Sequence, residues 1–237
     1  MSNGCSPRNF SKEYPLPKGP GLPSLQKDWN GDGEIRFYYI TTVRWNKDQD
    51  GLYQSGCGLN LKTSYATLCT CKRRMLRYIH SHWDQIQIQK QSLYIGVLGN
   101  KDCRKPGSKY APLIFLGKAD QSFSSFEALW NFLSHKDQEI KSVMRDPLGD
   151  LYPPDSKIPP DCHVHYPKKK YEEDLKDPRP LLFKEWRAWR EGGLDLMPEK
   201  IENRDIRRQL ESLLSKGVPA PYGRPFRLAE LKSLIPL

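Results

Sequence analysis

Two cysteines and four cations lie within eleven residues of this chain, and their spacing suits chemistry. Residues 67–77 read T-L-C-T-C-K-R-R-M-L-R. Cys71 directly precedes the cations, and a thiol beside cations at a helix N-terminus has a lowered pKa and acts as a nucleophile. The alternative is that Cys71 packs in a core, as small buried thiols do, and that Cys69 is the exposed cysteine.

The cations of this segment suit phosphate. Apolar residues recur at helical spacing and predict one buried face: Leu68, Cys71, Met75, Ile79 and Trp83. The opposite face would then be basic, and we expect four side chains on it to contact phosphate: Lys72, Arg73, Arg74 and Arg77. A solvated basic face with no partner is the alternative.

Other candidates for catalysis lie further along the chain. Asp50 is a candidate general base or acceptor for a sugar hydroxyl, although Asp50-Gly51 is also a common turn. Cys162, His163 and His165 place three metal-ligating side chains within four residues, but their spacing matches no standard zinc site. We therefore predict no metal and no cofactor, and we retain His163 and His165 as candidate catalytic partners.

Two tryptophans among charged residues are candidates for base stacking. Trp186 and Trp189 lie beside Lys184, Arg187 and Arg190, a combination that can stack bases and hold phosphate. Aromatic residues three apart also form the buried stripe of a helix, so both interpretations stay open.

Composition narrows the class of partner. The 237 residues carry a net charge of +10, and residues 51–100 hold six cations against one anion. This balance predicts DNA or nucleotides as the partner, with RNA open as well, ahead of a membrane, for which no spanning segment is present. The N-terminus lacks the apolar core of a signal peptide, and the six cysteines show no disulfide framework, so we expect a cytoplasmic protein. The chain contains no Walker loop, dinucleotide fingerprint, zinc-protease motif or zinc-deaminase motif.

The elements that must position these residues alternate between strand and helix. Patterning predicts strands at Glu34–Val43, Leu93–Leu98 and Pro112–Ala119, and helices at Thr70–Gln85, Ser124–Leu133 and Glu202–Lys216. This order predicts an α+β fold with a small curled mixed or antiparallel sheet and flanking helices. Residues 1–33 read as an extended arm and 34–237 as a single domain, with an irregular Pro-rich extension from about residue 146.

Several short motifs resemble the second nucleotide modification-associated domain family of bacteria and phages. The matching islands, in chain order, are Phe37–Val43, Asp50-Gly51, Thr67–Lys72, Tyr94–Gly96, Leu113–Leu116, Phe123 with Phe126, Gly149–Tyr152 and Gly223–Arg227. The chain departs from the family pattern where Arg73 replaces a proline and where Phe226 replaces a terminal histidine. The order of elements also resembles base-binding barrels of the PUA, ASCH and EVE kind, so a closed barrel is one form that the sheet can take.

The resemblance implies a role in DNA base modification or in recognition of modified bases, in a setting of phage–host conflict. It implies a nucleotide pocket lined by Thr67, Cys69, Tyr94 and Asp150. One alternative is a transferase or hydrolase acting on a modified base, with Asp50 as base and Cys71, His163 or His165 as partner. Another is a non-catalytic scaffold that works with operon-encoded partners in a defence complex.

Overall fold

A computed structural model describes residues 14–54, 58–69, 72–100, 103–104, 108–143, 148–154, 175–216 and 225–236. They form two units whose segments alternate along the sequence. The first unit contains the described residues of 58–83 and 121–182, and the second contains those of 14–54, 84–120 and 183–236. The prediction of a single domain with a C-terminal extension stays a prediction.

The strands are β1 Tyr14–Pro15, β2 Glu34–Ile40, β3 Val43–Asn46, β4 Gly51–Gln54, β5 Ala66–Leu68, β6 Leu93–Gly99, β7 Leu113–Lys118, β8 Gln121–Ser122, β9 Leu181–Phe183, β10 Trp186–Ala188 and β11 Phe226–Arg227. The α-helices are α1 Leu25–Asp28, α2 Arg73–Ser81, α3 Trp83–Ile88, α4 Phe126–Phe132, α5 His135–Lys141 and α6 Arg204–Lys216. Two 3-10 turns lie at Pro198–Lys200 and Leu228–Leu231.

A five-stranded sheet with the order β10-β7-β6-β2-β11 forms the centre of the second unit. β2 and β6 pair in parallel, and the other neighbours pair antiparallel. Every residue of β6 is buried, as a central strand covered on both faces requires. β1, β4 and β3 form a separate three-stranded sheet in the same unit.

The first unit combines the small sheet β5-β9-β8 with helices α2, α4 and α5. Its core is aliphatic and aromatic and includes Phe126, Leu129 and Leu151. α4 starts after Ser125, whose hydroxyl accepts a hydrogen bond from the backbone N–H of Ala128 at 3.0 Å, the normal geometry of an N-cap.

The protein is an α+β fold with mixed and antiparallel sheets, as the order of elements predicted. The described strands form open sheets. The barrel that was considered is not formed, because β10 and β11 stand at opposite edges of the central sheet and do not pair with each other.

Two elements differ from their sequence patterns. The single helix expected over Thr70–Gln85 is two helices, because His82 leaves the helical region and ends α2. The N-terminal arm expected over residues 1–33 is, from residue 14 onward, part of the second unit, where Leu25 and Trp29 are buried in the core. None of the helices in the described part combines the length and apolar character that a bilayer crossing needs.

Candidate functional site

Five polar or sulfur-bearing side chains meet in the interior of the first unit. They are Asn60, Thr67, Cys69, Lys141 and Asp150, and we refer to them as the polar cluster; all five are buried. Burial of so many polar groups in a small unit requires that they satisfy one another.

Lys141 ends α5 and is fully buried. Its Nζ lies 2.8 Å from the carbonyl oxygen of Tyr65, 3.1 Å from Oγ1 of Thr67 and 3.3 Å from Oδ1 of Asn60. An ammonium group has three N–H donors, so each donor has an acceptor. The side chain thereby ties the end of α5 to the segment that contains β5.

Thr67 connects the ammonium group to a carboxylate. Its hydroxyl accepts from Lys141 and donates to Asp150, whose two carboxylate oxygens each lie 3.1 Å from it. Burial raises the pKa of Asp150 to about 6, although the charge of Lys141 and hydrogen bonds from Cys69 and Thr67 act to lower it. Asp150 is therefore a carboxyl group that changes protonation near neutral pH.

The backbone holds Asp150 against α5. The N–H groups of Asp150 and Leu151 both donate to the carbonyl oxygen of Lys141, each at 3.0 Å. A Cβ at Gly149 would lie 2.3 Å from the carbonyl oxygen of Ser142, so only glycine permits this approach. The G-D-L-Y motif is thus the segment that closes the polar cluster.

Cys69 has the properties of a core thiol. It is 3% exposed, and burial raises its pKa well above the usual value, with the charge of Asp150 acting in the same direction. A thiol held in its protonated form is a poor nucleophile. Cys71, the other candidate thiol, lies outside the described residues.

The basic segment begins directly after the strand that carries Thr67. Lys72 precedes α2 in the left-handed region with φ +62°, which is uncommon for a residue with a side chain. Arg74 is exposed, Lys72 and Arg73 are half-exposed, and the first turn of α2 contains no acidic residue. Positive side chains and the positive end of the helix dipole therefore coincide.

Arg77, one turn later, belongs to a different set of contacts. Its Nε lies 2.7 Å from Oδ2 of Asp177, whose other oxygen is 2.6 Å from Arg179. A phosphate that bound Arg77 would therefore have to compete with Asp177 for its guanidinium group.

The four side chains predicted to line a nucleotide pocket divide between the two units, and the pocket stays a prediction. Thr67, Cys69 and Asp150 lie together in the first unit and are buried, whereas Tyr94 belongs to the second unit, is fully buried and donates its hydroxyl to Oδ2 of Asp28 at 2.8 Å. Tyr94 therefore presents no ring face for a base, because it packs in the core of its own sheet.

Asp50 is not a member of the polar cluster. It lies in the second unit, exposed, at the end of the turn that joins β3 to β4, with φ +44°. Asp50 thus ends the hairpin turn of residues 47–50, and Gly51 begins β4, where it pairs with Asn46. His163 and His165 lie outside the described residues, and within the described part no group of three or more metal-ligating side chains occurs. The absence of zinc stays a prediction.

The two tryptophans have different environments. Trp186 is 1% exposed and stacks on Phe115 with ring centroids 5.9 Å apart, so the expectation that it stacks a base is wrong for the structure as it stands. Trp189 is half-buried, and the guanidinium carbon of Arg187 lies 5.4 Å from its ring centroid. Trp189 therefore combines an aromatic ring with a neighbouring cation, as side chains that stack bases and contact phosphate do.

Sequence reasoning missed Lys141 and Asn60. A lysine in the last turn of a short helix is the commonest favourable choice for an exposed helix end, so its residue type carries no sign of burial. Asn60 follows a glycine-rich stretch that reads as a loop. Only the close approach of two distant segments gives either residue its role.

Comparison with known proteins returned no match: no protein-family model, curated protein or solved structure is detectably similar to this chain. The interpretation of the polar cluster and of the basic segment therefore depends on their own geometry.

Proposed function

We propose that this protein binds nucleic acid or nucleotides and acts in DNA base modification or in the recognition of modified bases. The observation that carries the proposal is the group of three cations at the start of α2. Lys72, Arg73 and Arg74 occupy a helix N-terminus whose first turn has no acidic residue. This combination of side-chain charge, N–H donors and helix dipole suits a phosphate group.

The polar cluster supports this role by holding the basic segment in place. Thr67 and Cys69 lie just upstream of α2 and are fixed to α5 through Lys141 and Asp150. A rigid support reduces the ordering cost of binding. We place this function in the cytoplasm. Its proposed partners there are DNA, nucleotides or operon-encoded proteins.

An enzyme is the second candidate, and the observation that favours it is Asp150. A carboxyl group with a pKa near 6 can exchange a proton near neutral pH. In this alternative a transferase or hydrolase uses Asp150, with Cys71, His163 or His165 as partner. A scaffold without catalysis, in phage–host conflict, is the third alternative.

Charge reversal tests the phosphate site. We expect the triple variant Lys72→Glu, Arg73→Glu, Arg74→Glu to lose binding to a fluorescein-labelled DNA duplex, measured by anisotropy. The matched control reverses three exposed cations of the second unit, Lys200, Arg204 and Arg208, and should bind nearly as wild type. Equal affinity of wild type and the α2 variant, with circular dichroism unchanged, would refute the phosphate site.

Mass spectrometry of nucleosides separates the candidate functions. DNA from cells with and without the gene should differ in one nucleoside if the protein takes part in modification. An unchanged profile together with retained DNA binding would favour a reader or a scaffold over the enzyme.

A further inference from the structure

A cavity of about 350 Å³ lies on the surface of the second unit, and none of the α2 cations lines it. Its wall is formed by α1 and the loop before it, by β10 and the residue after it, and by the C-terminal segment. The lining residues that carry its chemistry are Lys18, Leu22, Leu25, Arg187, Trp189 and Ile235. We refer to this cavity as the Trp189 groove.

The Trp189 groove is lined by both apolar and cationic side chains. Its lining includes Lys18 and Arg187 and no acidic residue, while Leu22, Leu25 and Ile235 supply apolar surface. The ligand that complements it has a flat or apolar body and a negative charge, because an uncharged ligand would leave both cations unused.

Trp189 and Arg187 together form a surface for a planar ring. Trp189 packs against the hydrophobic core of the unit and carries the guanidinium of Arg187 at 5.4 Å from its ring centroid. A guanidinium group is itself planar and stacks on aromatic rings, and nucleic-acid bases stack on both kinds of surface.

The loop that faces this pair is held in place by the neighbouring strand. The N–H of Gly21 donates to the carbonyl oxygen of Trp186, and the N–H of Ala188 donates to that of Lys18, both at 3.0 Å. Gly19 has φ +83°, and a Cβ there would lie 2.5 Å from the Trp186 ring. The groove wall is therefore preformed, and a ligand need not order it.

A nearby acidic side chain is already engaged. Glu185 accepts two hydrogen bonds from Ser24, from its backbone N–H at 2.8 Å and from its hydroxyl at 2.6 Å. Its carboxylate thus caps the loop before α1, and it does not line the groove.

We infer that the Trp189 groove binds a single nucleotide unit, with the base against Arg187 and Trp189 and the phosphate near Lys18. The volume suits one such unit, at the lower end of the range for small-molecule sites. The inference deepens the proposed function and rests on it in one respect. The groove suits any flat anion, and the proposed function is the reason for choosing a nucleotide. The inference does not depend on the α2 cations.

Calorimetric titration of the full chain tests the inference. The probes are the four deoxynucleoside 5′-monophosphates, the parent deoxynucleosides and a single-stranded oligonucleotide. We expect the monophosphates or the oligonucleotide to bind, and Arg187→Glu to weaken this binding about tenfold or more. The tighter of the two probes identifies whether the nucleotide is free or part of a strand.

Two further variants make the result specific. Arg187→Lys keeps the charge without the planar group, so it should lose part of the affinity if stacking contributes. Arg204→Glu, an exposed change elsewhere in the second unit, should have little effect. No binding by wild type, equal binding by Arg187→Glu, or equal affinity for deoxynucleosides and monophosphates would each overturn the inference.

The two proposals fail separately. If the α2 triple variant loses DNA binding while Arg187→Glu changes nothing, the inference is wrong and the phosphate site stands. If Arg187→Glu loses nucleotide binding while the α2 variant binds as wild type, the groove stands and the phosphate site is wrong.

Discussion

Lys141 combines full burial with complete hydrogen bonding, and it faces a carboxylate through the hydroxyl of Thr67. A buried charged pair of this kind contributes little net stability compared with an apolar core of the same volume. Its main effect is to specify one arrangement, since the ammonium group of Lys141 has its hydrogen-bond acceptors only in that arrangement. These hydrogen bonds fix the position of β5 relative to the end of α5.

Removing the ammonium group should destabilise the protein strongly. Lys141→Met keeps the length of the side chain but leaves Asp150 buried without a cation, and we expect the free energy of unfolding to fall by about 3–5 kcal/mol. Urea denaturation measures the change. Lys136→Met, an exposed lysine of the same helix, is the matched control and should change it little.

A double-mutant cycle then tests whether the two charges depend on each other. Asp150→Asn alone should also destabilise, whereas the double variant should lose less than the sum of the two single variants. Additive losses would mean that Lys141 and Asp150 are not energetically coupled.

The pH dependence of stability follows from Asp150. Its pKa is raised from 3.8 to about 6 in the folded protein, so between these values the folded state binds a proton that the unfolded state releases. The stability contributed by protonation is therefore complete below pH 3.8 and is lost as pH rises through about 6. Each unit of pKa difference corresponds to about 1.4 kcal/mol.

Urea denaturation from pH 3.5 to pH 7 checks this sign. The free energy of unfolding of wild type relative to Asp150→Asn should decrease as pH rises through this window. Asp28, whose pKa is lowered despite its burial because of bonds to Lys118 and Tyr94, is present in both proteins and cancels in the difference. A flat difference across the window would show that Asp150 does not titrate as expected.

At the scale of the element, α2 and α4 begin in different ways. The start of α2 has no side-chain cap, and Lys72 takes a left-handed conformation there, whereas α4 starts with a serine cap. The start of α2 therefore departs from ordinary capping at the point where three cations follow one another along the chain. α4, in contrast, has a structural start.

The serine cap of α4 gives a prediction at this scale. The sequence pattern predicted a helix that begins at Ser124, but Ser125 is the cap, since its hydroxyl accepts the hydrogen bond from Ala128. Ser125→Ala should lower the free energy of unfolding by about 1 kcal/mol, because the N–H of Ala128 loses its acceptor. Ser124→Ala is the matched control, and an equal loss in both variants would contradict the assignment of the cap.

At the scale of the whole molecule, the net charge of +10 implies that salt governs any binding to nucleic acid. Each neutralised phosphate of duplex DNA releases a counterion, so the logarithm of the affinity should fall linearly with the logarithm of salt concentration.

The number of phosphates contacted by α2 can therefore be read from salt titrations. If Lys72, Arg73 and Arg74 each contact a phosphate, the triple charge reversal should make the slope shallower by about 2 to 3 units. Anisotropy titrations between 50 and 300 mM salt measure it. An unchanged slope in the α2 variant would assign the salt dependence to other cations of the chain.

Sequence patterning predicted the elements well where the apolar period was long. The strands at Glu34–Ile40 and Leu93–Gly99 and the helix Arg204–Lys216 follow their patterns closely. The helix around residues 70–85 was predicted too long, because the apolar spacing continues from Leu68 to Trp83 although Leu68 lies in a strand. The spacing of apolar residues alone does not show where a strand ends and a helix begins.

By itself the sequence determined the α+β class, the basic segment after Thr67 and the presence of a glycine before Asp150. These properties follow from composition, from the spacing of apolar residues and from local charge. Each of these depends only on residues that are close together along the chain. Only the tertiary structure decided that Lys141 enters the core beside Thr67 and Asp150, and that Trp186 is enclosed while Trp189 borders a groove. Such outcomes depend on which distant segments approach one another, and the free energy of burying a polar group is set by the partners it meets there.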